Sequence, residues 1–360
     1  MQKRTFIKLT TAAMATHVLA PFAALATGEK LTNWAGNLTY STETLEEVNG
    51  TSQVQKRVKA IDKLKVLGTR HCFNSIADSK QRFLSLTQAK EDITLDAGAN
   101  TVTVNAGIKY GQLSPYLHEQ GFALANLASL PHISVAGACA TATHGSGEKN
   151  GNLASAVTAL ELVTADGGLL TLSRAADGER FRAAVVHLGA LGVVTKITLA
   201  IQPTFLMTQH VYENLPIDQL TDHFDEIQSN GYSVSLFTNW QKPIIEEVWV
   251  KRRADDPRNQ TPAAEWLGAT LATRNLHPIP ELSAENCTEQ MGVPGPWYER
   301  MPHFKMGFTP SSGKELQSEY FVPRRHAVEA ILAISRLGSQ IGPHLFTSEI
   351  RSIAADDLWL

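Results

Sequence analysis

Leu67-Gly68-Thr69-Arg70-His71-Cys72-Phe73-Asn74 is a glycine turn with a titratable ring built into it. The residues that lead in, Lys65-Val66-Leu67-Gly68, read as a buried strand entering the turn. Further along comes a second run of small residues, Ser134-Val135-Ala136-Gly137-Ala138-Cys139-Ala140-Thr141-Ala142-Thr143-His144-Gly145-Ser146-Gly147. Apart from Val135, Cys139 and His144, nothing in it is bulkier than threonine. Glycine lets main chain approach a ligand closely, and backbone N–H groups are what phosphate oxygens need. The run is therefore either a tightly packed small-residue turn or main chain pressed against a large planar ligand, with hydroxyls for its phosphates. His71 is open in the same way: a satisfied structural histidine, or a functional one.

Several classes drop out. A dinucleotide turn of the G-x-G-x-x-G type needs a third glycine and an apolar helix behind it. Here Gly145-Ser146-Gly147 is followed by Asn150 at the third position, and no such helix opens there. A phosphate loop of the Walker type is absent. The net charge is −3 and no basic run exceeds Lys251-Arg252-Arg253, so nucleic acid has no electrostatic footprint to bind. Cys72, Cys139 and Cys287 are odd in number, far apart and without zinc spacing, so no metal site is expected.

The chain has 360 residues, 43% hydrophobic and 19% charged, which suffices for two domains and a large core. From 33 to 203 short strands and helices alternate. Strands are expected at 101–106, 156–165, 169–173 and 192–201, with Asp166-Gly167-Gly168 as a hairpin turn and Pro203 ending the last strand. Helices are expected at 110–120, closed by Gly121, and at 180–188. Past Pro203, tryptophan and proline concentrate. Strands are expected at 233–237 and 246–251, a polar surface loop at 252–282, and a helix at 325–338 with Ala327, Ala330, Ile331 and Ile334 on one face and Gly338 closing it.

Longer strings carry a resemblance. The run 67–74, then Leu124-Ala125-Asn126-Leu127-Ala128-Ser129-Leu130-Pro131-His132-Ile133-Ser134-Val135-Ala136-Gly137, then Thr141-Ala142-Thr143-His144-Gly145-Ser146-Gly147, resembles the vanillyl-alcohol-oxidase-type flavoproteins. Within them the chain is similar to the alditol (xylitol) oxidases and their sugar-lactone oxidase relatives. Asn33-Trp34-Ala35-Gly36-Asn37, Cys287-Thr288-Glu289-Gln290, Val293-Pro294-Gly295-Pro296-Trp297, Leu316-Gln317-Ser318-Glu319-Tyr320 and Ser348-Glu349-Ile350-Arg351 agree with that subgroup, so the likeness runs from about 33 to 360.

The resemblance implies an α+β fold: a two-part PCMH-type FAD-binding domain over 31–203, then a substrate cap domain with an antiparallel sheet over 204–360. It implies that Thr69, Arg70, His71, Cys72, Phe73 and Asn74 hold the pyrophosphate, with His71 bonded covalently to the flavin. It implies that Ser129, Ser134, Gly137, Thr141, Ala142, Thr143, His144 and Val194 line the rest of the FAD site. Glu349 and Arg351, two apart, share a face on a strand. Alone they read as an ordinary salt bridge; with the family match they are expected to bind a polyol, assisted by Ser129. The first loop departs from the common glycine-x-glycine-histidine-serine pattern, with Arg70 for the second glycine and Cys72 for the serine. Arg70 either pairs with pyrophosphate or points to solvent. The family also continues past the equivalent of Leu360 with a further histidine, threonine and lysine, so the chain is expected to be truncated.

The implied reaction is oxidation of a polyol such as xylitol or sorbitol to an aldose, with O2 reduced to H2O2. The alternatives are a sugar-1,4-lactone oxidase or dehydrogenase and an inactive FAD-binding fragment. Residues 1–26 carry Lys3-Arg4, an apolar small-residue stretch and Ala24-Leu25-Ala26, which read as an export signal rather than a membrane anchor. Lys3-Arg4-Thr5-Phe6-Ile7-Lys8 resembles a twin-arginine motif, the other reading being an ordinary secretory signal. Either implies export machinery as a partner and a periplasmic or secreted protein.

Overall fold

The computed structural model of the chain describes residues 30–259, 262–307 and 315–359. The expected export segment, 1–26, lies outside the described residues, as does Leu360. The first sheet is small and parallel. β1 (Leu45–Glu47) and β2 (Lys65–Val66) both pair with β3 (Phe83–Ser85), which lies between them. Helix α1 (Thr51–Ala60) connects β1 to β2 and buries Val54. Val54, Leu84, Val163 and Val193 form one apolar cluster that seals this sheet against the next.

The second sheet is antiparallel. β4 (Ile93–Asp96) and β5 (Thr101–Asn105) are followed by helix α2 (Tyr110–Glu119), the short β6 (Phe122–Ala123) and the six-residue helix α3 (Val135–Ala140). After these come β7 (Val157–Val163), β8 (Leu169–Ser173), helix α4 (Arg174–Val185), β9 (Val193–Ala200) and β10 (Gln202–Pro203). The sheet order is β4-β5-β9-β7-β8, and β6 pairs with β10 as a separate ribbon. Gly167, at φ 78°, turns the β7–β8 hairpin, and the Asp166 carboxylate accepts from the Gly168 N–H at 2.9 Å. Pro203 therefore extends a pairing rather than ending the strand. Helix α4 is two short helices joined at a kink at Gly178, φ 48°: the first is capped by the Ser173 hydroxyl, which accepts from Ala176 N–H at 3.2 Å, and the second covers most of the expected helix.

The third sheet has seven strands and is antiparallel throughout. It comprises β11 (Leu206–Pro216), β12 (Ser233–Thr238), β13 (Ile244–Arg253), β14 (Glu265–Trp266), β15 (Ala269–Leu271), β16 (Gly295–Pro296) and β17 (Ser348–Arg351). Its path is β14-β15-β11-β13-β12-β17, with β16 on β11. Helix α5 (Gln219–Gln228) and helix α6 (Ala327–Ser335) cover one face through Leu220, Phe224, Ile227, Ala327 and Ile331.

Two expectations give way here. The stretch 252–282 is not all loop, since β14 and β15 close the sheet edge, with Trp266 5.4 Å from Tyr212 and Ala269 fully buried. Gly338 does not close α6. It opens a further helix, α7 (Gly338–Ile341), and packs where a Cβ would fall 2.1 Å from the Trp240 carbonyl. Ile334 stays exposed. Among the described residues, no helix is long and apolar enough to cross a membrane.

Candidate functional site: two cradle loops and a charged wall

The first loop leaves the parallel sheet after Leu67, whose N–H still donates to the Leu84 carbonyl at 2.9 Å. Arg70 adopts φ 66°, the left-handed region that favours glycine, at the position where the commoner pattern carries one. Its side chain goes neither to solvent nor to the centre of the loop. Nη1 donates to the Thr32 carbonyl at 3.0 Å, and Trp34 N–H donates back to the Arg70 carbonyl at 2.8 Å. The loop is thereby stapled to 32–34. Asn33 Nδ2 adds a bond to the Cys72 carbonyl at 3.0 Å, and Phe73 meets Trp34 edge-on at 6.3 Å. Burial pushes the Cys72 thiol up. Asn74 does turn work: its Oδ1 accepts from Ile76 N–H at 3.0 Å.

His71 lies between two rings, with centroids 4.9 Å from Trp34 and 4.7 Å from His132. Its Nε2 is sealed from solvent and has no partner, and both ring nitrogens of His132 are in the same condition. Burial, then the neighbouring His132, Arg70 and Lys109, lowers His71 to about 3. Burial and Lys109 lower His132 to about 4. Both rings are therefore neutral near neutral pH. Buried polar atoms without partners are uncommon and mark a place where something else supplies the contact.

The two loops touch. Thr69 Oγ1 accepts from Ser134 N–H at 3.2 Å. A Cβ on Gly68 would fall 2.8 Å from Ser134 Oγ, and one on Gly137 would fall 2.6 Å from it. The two glycines allow this approach without moving the serine hydroxyl aside. Thr141 Oγ1 donates to the Gly137 carbonyl at 3.1 Å and lies 3.1 Å from Thr143 Oγ1, while Ala142 takes φ 51°. Val194 is buried on β9 in the same core as Val135 and Ala138. His144 turns away from this row. Nδ1 faces the Gly145 carbonyl at 2.8 Å and Nε2 faces Glu319 Oε1 at 2.7 Å. Both partners are acceptors.

The ribbon is pinned to the third sheet at its far end. Gly147 N–H donates to the Ser352 carbonyl at 2.8 Å, Ala354 N–H to the Asn150 carbonyl at 2.9 Å, and Asn150 Nδ2 to the Tyr232 carbonyl at 3.0 Å. Ser146 Oγ donates to the Val234 carbonyl. Strand β17 thus arrives beside the ribbon carrying Glu349 and Arg351. Their backbones pair with Phe237 and Ser235 of β12.

Here a chain of contacts begins. Glu349 Oε1 lies 2.8 Å from His303 Nε2 and 3.5 Å from Arg351 Nε. Arg351 Nη2 reaches Glu319 Oε1 at 3.2 Å, which also holds His144. Behind His303, Lys251 Nζ sits 3.1 Å from Nδ1 and donates to the carbonyls of Met301 and Pro302 at 2.7 and 2.8 Å. Burial alone would raise the Glu349 carboxyl, but Arg351 and His303 outweigh it and hold it well below the usual carboxylate range. Burial lowers His303 to about 4, helped by Lys251, and lowers Lys251 to about 7 against the pull of Glu349.

Ser129, on the loop before α3, joins this wall through its backbone: its carbonyl accepts the His303 N–H at 3.0 Å. Glu349 and Arg351 are thus in contact, and His303 links them to Ser129, the carboxylate through its ring and the serine through its main chain.

Trp34, His132, Lys251, His303 and Glu319 were not singled out as site residues from the sequence. Lys251 had a readable signal, since it is two residues from buried Trp249 on a strand and so faces the interior with it. A cavity of about 580 Å³ opens on the α2 side of the same junction, lined by Ser114, Pro131, Thr288, Tyr298, Arg300 and Met306. Neither cradle loop lines it. Among the described residues, no group of three or more His, Cys, Asp or Glu is placed to hold a metal ion.

Comparison with known proteins agrees with this layout. Residues 45–173, which span both loops, match the model of the FAD binding domain family. An alditol oxidase from a Streptomyces species is 47% identical over 92% of this chain and 78% of its own length. An L-gulono-1,4-lactone dehydrogenase from Mycobacterium tuberculosis is 26% identical over 85% of this chain and 73% of its own. A solved cholesterol oxidase from Brevibacterium sterolicum superposes with a TM-score of 0.57 at 18% identity, covering 64% of this chain and 48% of that one. The unpartnered ring nitrogens of His71 and His132 fit contact with a bound flavin dinucleotide.

Proposed function

We propose that this chain, which belongs to the alditol oxidase family of FAD-dependent oxidoreductases, oxidises a polyol at a CH–OH group, with Glu349, Arg351 and Ser129 holding the substrate. FAD supplies the two-electron acceptor when bound. The observation that carries the reading is the Glu349–Arg351 pair on β17, set beside the second loop and joined to Ser129 through His303.

A polyol presents rows of hydroxyl groups that both donate and accept. An ionised carboxylate accepts from one hydroxyl and a guanidinium donates to its neighbour, so the pair grips two adjacent oxygens. Contacts from His303 and Arg351 fall on Glu349 Oε1. Oε2 carries neither contact and is the oxygen we assign to a polyol O–H. The Arg351 guanidinium, fixed between two carboxylates, also stabilises negative charge that develops on the substrate oxygen.

In this reading Trp34 and His132 pack at a tilt against His71 and restrain its ring, while burial keeps it neutral. An unprotonated imidazole nitrogen is the form that can bond to carbon, which supports covalent attachment of the flavin at His71. The sheets change over between Pro203 and Leu206, and we take that as the boundary between an FAD-binding domain and a substrate cap domain. The basic and apolar pattern of 1–26 supports export to the periplasm or medium, tested by cell fractionation with and without those residues.

Two measurements test the core of the reading. Flavin that stays with the acid-precipitated chain but is lost from His71→Ala supports the attachment; a variant that retains it removes the assignment. Under argon, xylitol or sorbitol should bleach the bound flavin, and air should restore it with H2O2 formed. Bleaching by an aldonolactone and not by alditols would move the substrate class to the sugar lactones.

A further inference from the structure

We propose that His303 is a positioning residue for this site: its side chain orients the Glu349 carboxylate, its backbone holds the Ser129 loop, and Lys251 locks the tautomer that permits both. The proposal rests on the reading that Glu349 and Ser129 meet the polyol. It adds residues to that reading that touch neither substrate nor flavin.

The geometry is specific. Lys251 is fully buried at the end of β13, and its ammonium has three N–H donors and no acceptor. Three acceptors surround it: the carbonyls of Met301 and Pro302, and His303 Nδ1. While Nζ keeps its third proton, below about pH 7, the match in number requires Nδ1 to accept and the ring proton sits on Nε2; above that pH the Glu349 carboxylate facing Nε2 selects the same tautomer. Nε2–H then points at Glu349 Oε1, 2.8 Å away. The opposite tautomer would set a lone pair against a carboxylate and an N–H against an ammonium. Trp249 and Phe237 pack edge-on against the ring at 5.1 and 5.6 Å.

The backbone of the same residue does the second job. His303 N–H donates to the Ser129 carbonyl at 3.0 Å and Phe304 N–H to the same oxygen at 3.3 Å. The His303 carbonyl is itself held by Thr288 N–H at 2.9 Å. A displacement of 303 therefore moves the serine loop and the carboxylate together. Charged groups reach Glu349 from every side: Arg351 on its own strand, Glu319 across Arg351, and Lys251 behind His303. Without the imidazole bridge, Lys251 and Glu349 face each other across a void and the carboxylate is free to swing to Arg351.

The test combines a spectrum with kinetics. The chain is labelled with ¹⁵N in its histidine rings, and long-range proton–nitrogen spectra are recorded from about pH 5.5 to about pH 8.5, where an ordinary histidine titrates. His303→Gln identifies the signals. The expected result is one neutral ring with the proton on Nε2 throughout that range. A ring that titrates normally, or carries its proton on Nδ1, overturns the proposal whatever the enzyme's substrate.

The kinetic arm compares His303→Gln, which keeps a donor near the Nε2 position, with His303→Leu, which has none. Loss of a hydrogen bond to a charged group predicts that the leucine variant loses about tenfold to a hundredfold in kcat/KM for the alditol. The glutamine variant should stay within a few-fold of wild type, with flavin content unchanged in both. Equal losses in the two variants, or none in either, overturn the positioning role. A wild-type flavin that no alditol bleaches is a different failure. It removes the substrate reading, while the spectra still decide whether His303 orders Glu349.

Discussion

The cradle at 68–74 and 134–147 keeps its shape with main chain, whereas the wall formed by Lys251, His303, Glu349 and Arg351 keeps its shape with charge. In the cradle, Gly68 and Gly137 approach a serine hydroxyl, Gly145 approaches the Leu127 carbonyl, and the cross-loop bond runs from Ser134 N–H to Thr69 Oγ1. In the wall, each side chain depends on the next, from an ammonium through an imidazole to a carboxylate and a guanidinium. A cradle of the first kind tolerates changes of charge but no added atom. A wall of the second kind tolerates changes of shape better than the loss of one partner, because each remaining charge would be left buried and uncompensated.

The largest effect expected from this contrast is at Arg351. Its guanidinium is only 17% exposed and neutralises two carboxylates, Glu349 and Glu319. Arg351→Ala should cut the rate of alditol-driven flavin reduction by about 10² to 10³, the range seen when a fixed donor to a developing charge is removed. Flavin content should not change. Stopped-flow bleaching under argon measures this, and a loss below tenfold would remove Arg351 from the substrate site.

The next expectation concerns a carboxylate with the opposite fate. Glu247, on β13, is buried with Trp249 Nε1 donating to its Oε2 at 2.7 Å, and Arg274 offsets only a small part of the loss of water. Burial raises it from 4.5 to about 7. Below about pH 4.5 the group is protonated in both folded and unfolded chain and costs nothing. Between about 4.5 and 7 the unfolded chain gives up its proton and the folded one does not, so stability falls as pH rises. Above 7 the whole penalty, about 3 kcal/mol, is present. Glu247→Gln keeps an acceptor for Trp249 and removes the titration. It should be more stable than wild type in urea at pH 8 and equal to it near pH 4.5. A variant with the same pH slope as wild type would place the titration elsewhere.

These two glutamates also show what was legible in the sequence. The cradle could be read because its determinants are local: a strand, a glycine and a histidine in one string, then a ribbon of small residues in another. The strands at 101–105, 157–163, 169–173 and 193–200 were visible for the same reason, as continuous alternation with turn residues between them. Glu349 and Arg351 could be placed on one strand face by their spacing alone. Their partners could not. His303 comes from an irregular stretch and Glu319 from a segment without periodicity, while the spacing of Lys251 to Trp249 turns it inward but does not say what it meets. What joins them is the register of β12 against β13 and β17, and register is not printed in any single strand. The short strands β14 and β15 were lost for a simpler reason: two or three residues are too few to show a period.

On the cradle side the sharpest break is Gly145→Ala. An added Cβ would fall 2.1 Å from the Leu127 carbonyl and 2.4 Å from Asn126 Oδ1. Backbone cannot yield as the end of a long side chain does, so the ribbon has to shift against the Ser129 loop. The expected cost is about 2 kcal/mol, read as a lower melting temperature with weaker flavin retention. A neutral result would mean that the cradle is looser than its contacts imply.

The smallest effect expected is at Arg324, and it separates geometry from environment. Its guanidinium, like that of Arg351, lies between two carboxylates, 3.2 Å from Glu148 and 2.8 Å from Asp225, and it bridges the second loop to helix α5. The difference is that 40% of its side chain is in contact with water, where charge is screened and long side chains must be ordered to make the pair. Arg324→Ala should therefore change stability by less than about 1 kcal/mol, and that change should shrink further in high salt. The double variant with Glu148→Gln isolates the pair. A coupling as large as that between Arg351 and Glu349 would show that the number of carboxylates, and not their burial, sets the strength of these clusters, and the contrast between cradle and wall would have to be redrawn on that basis.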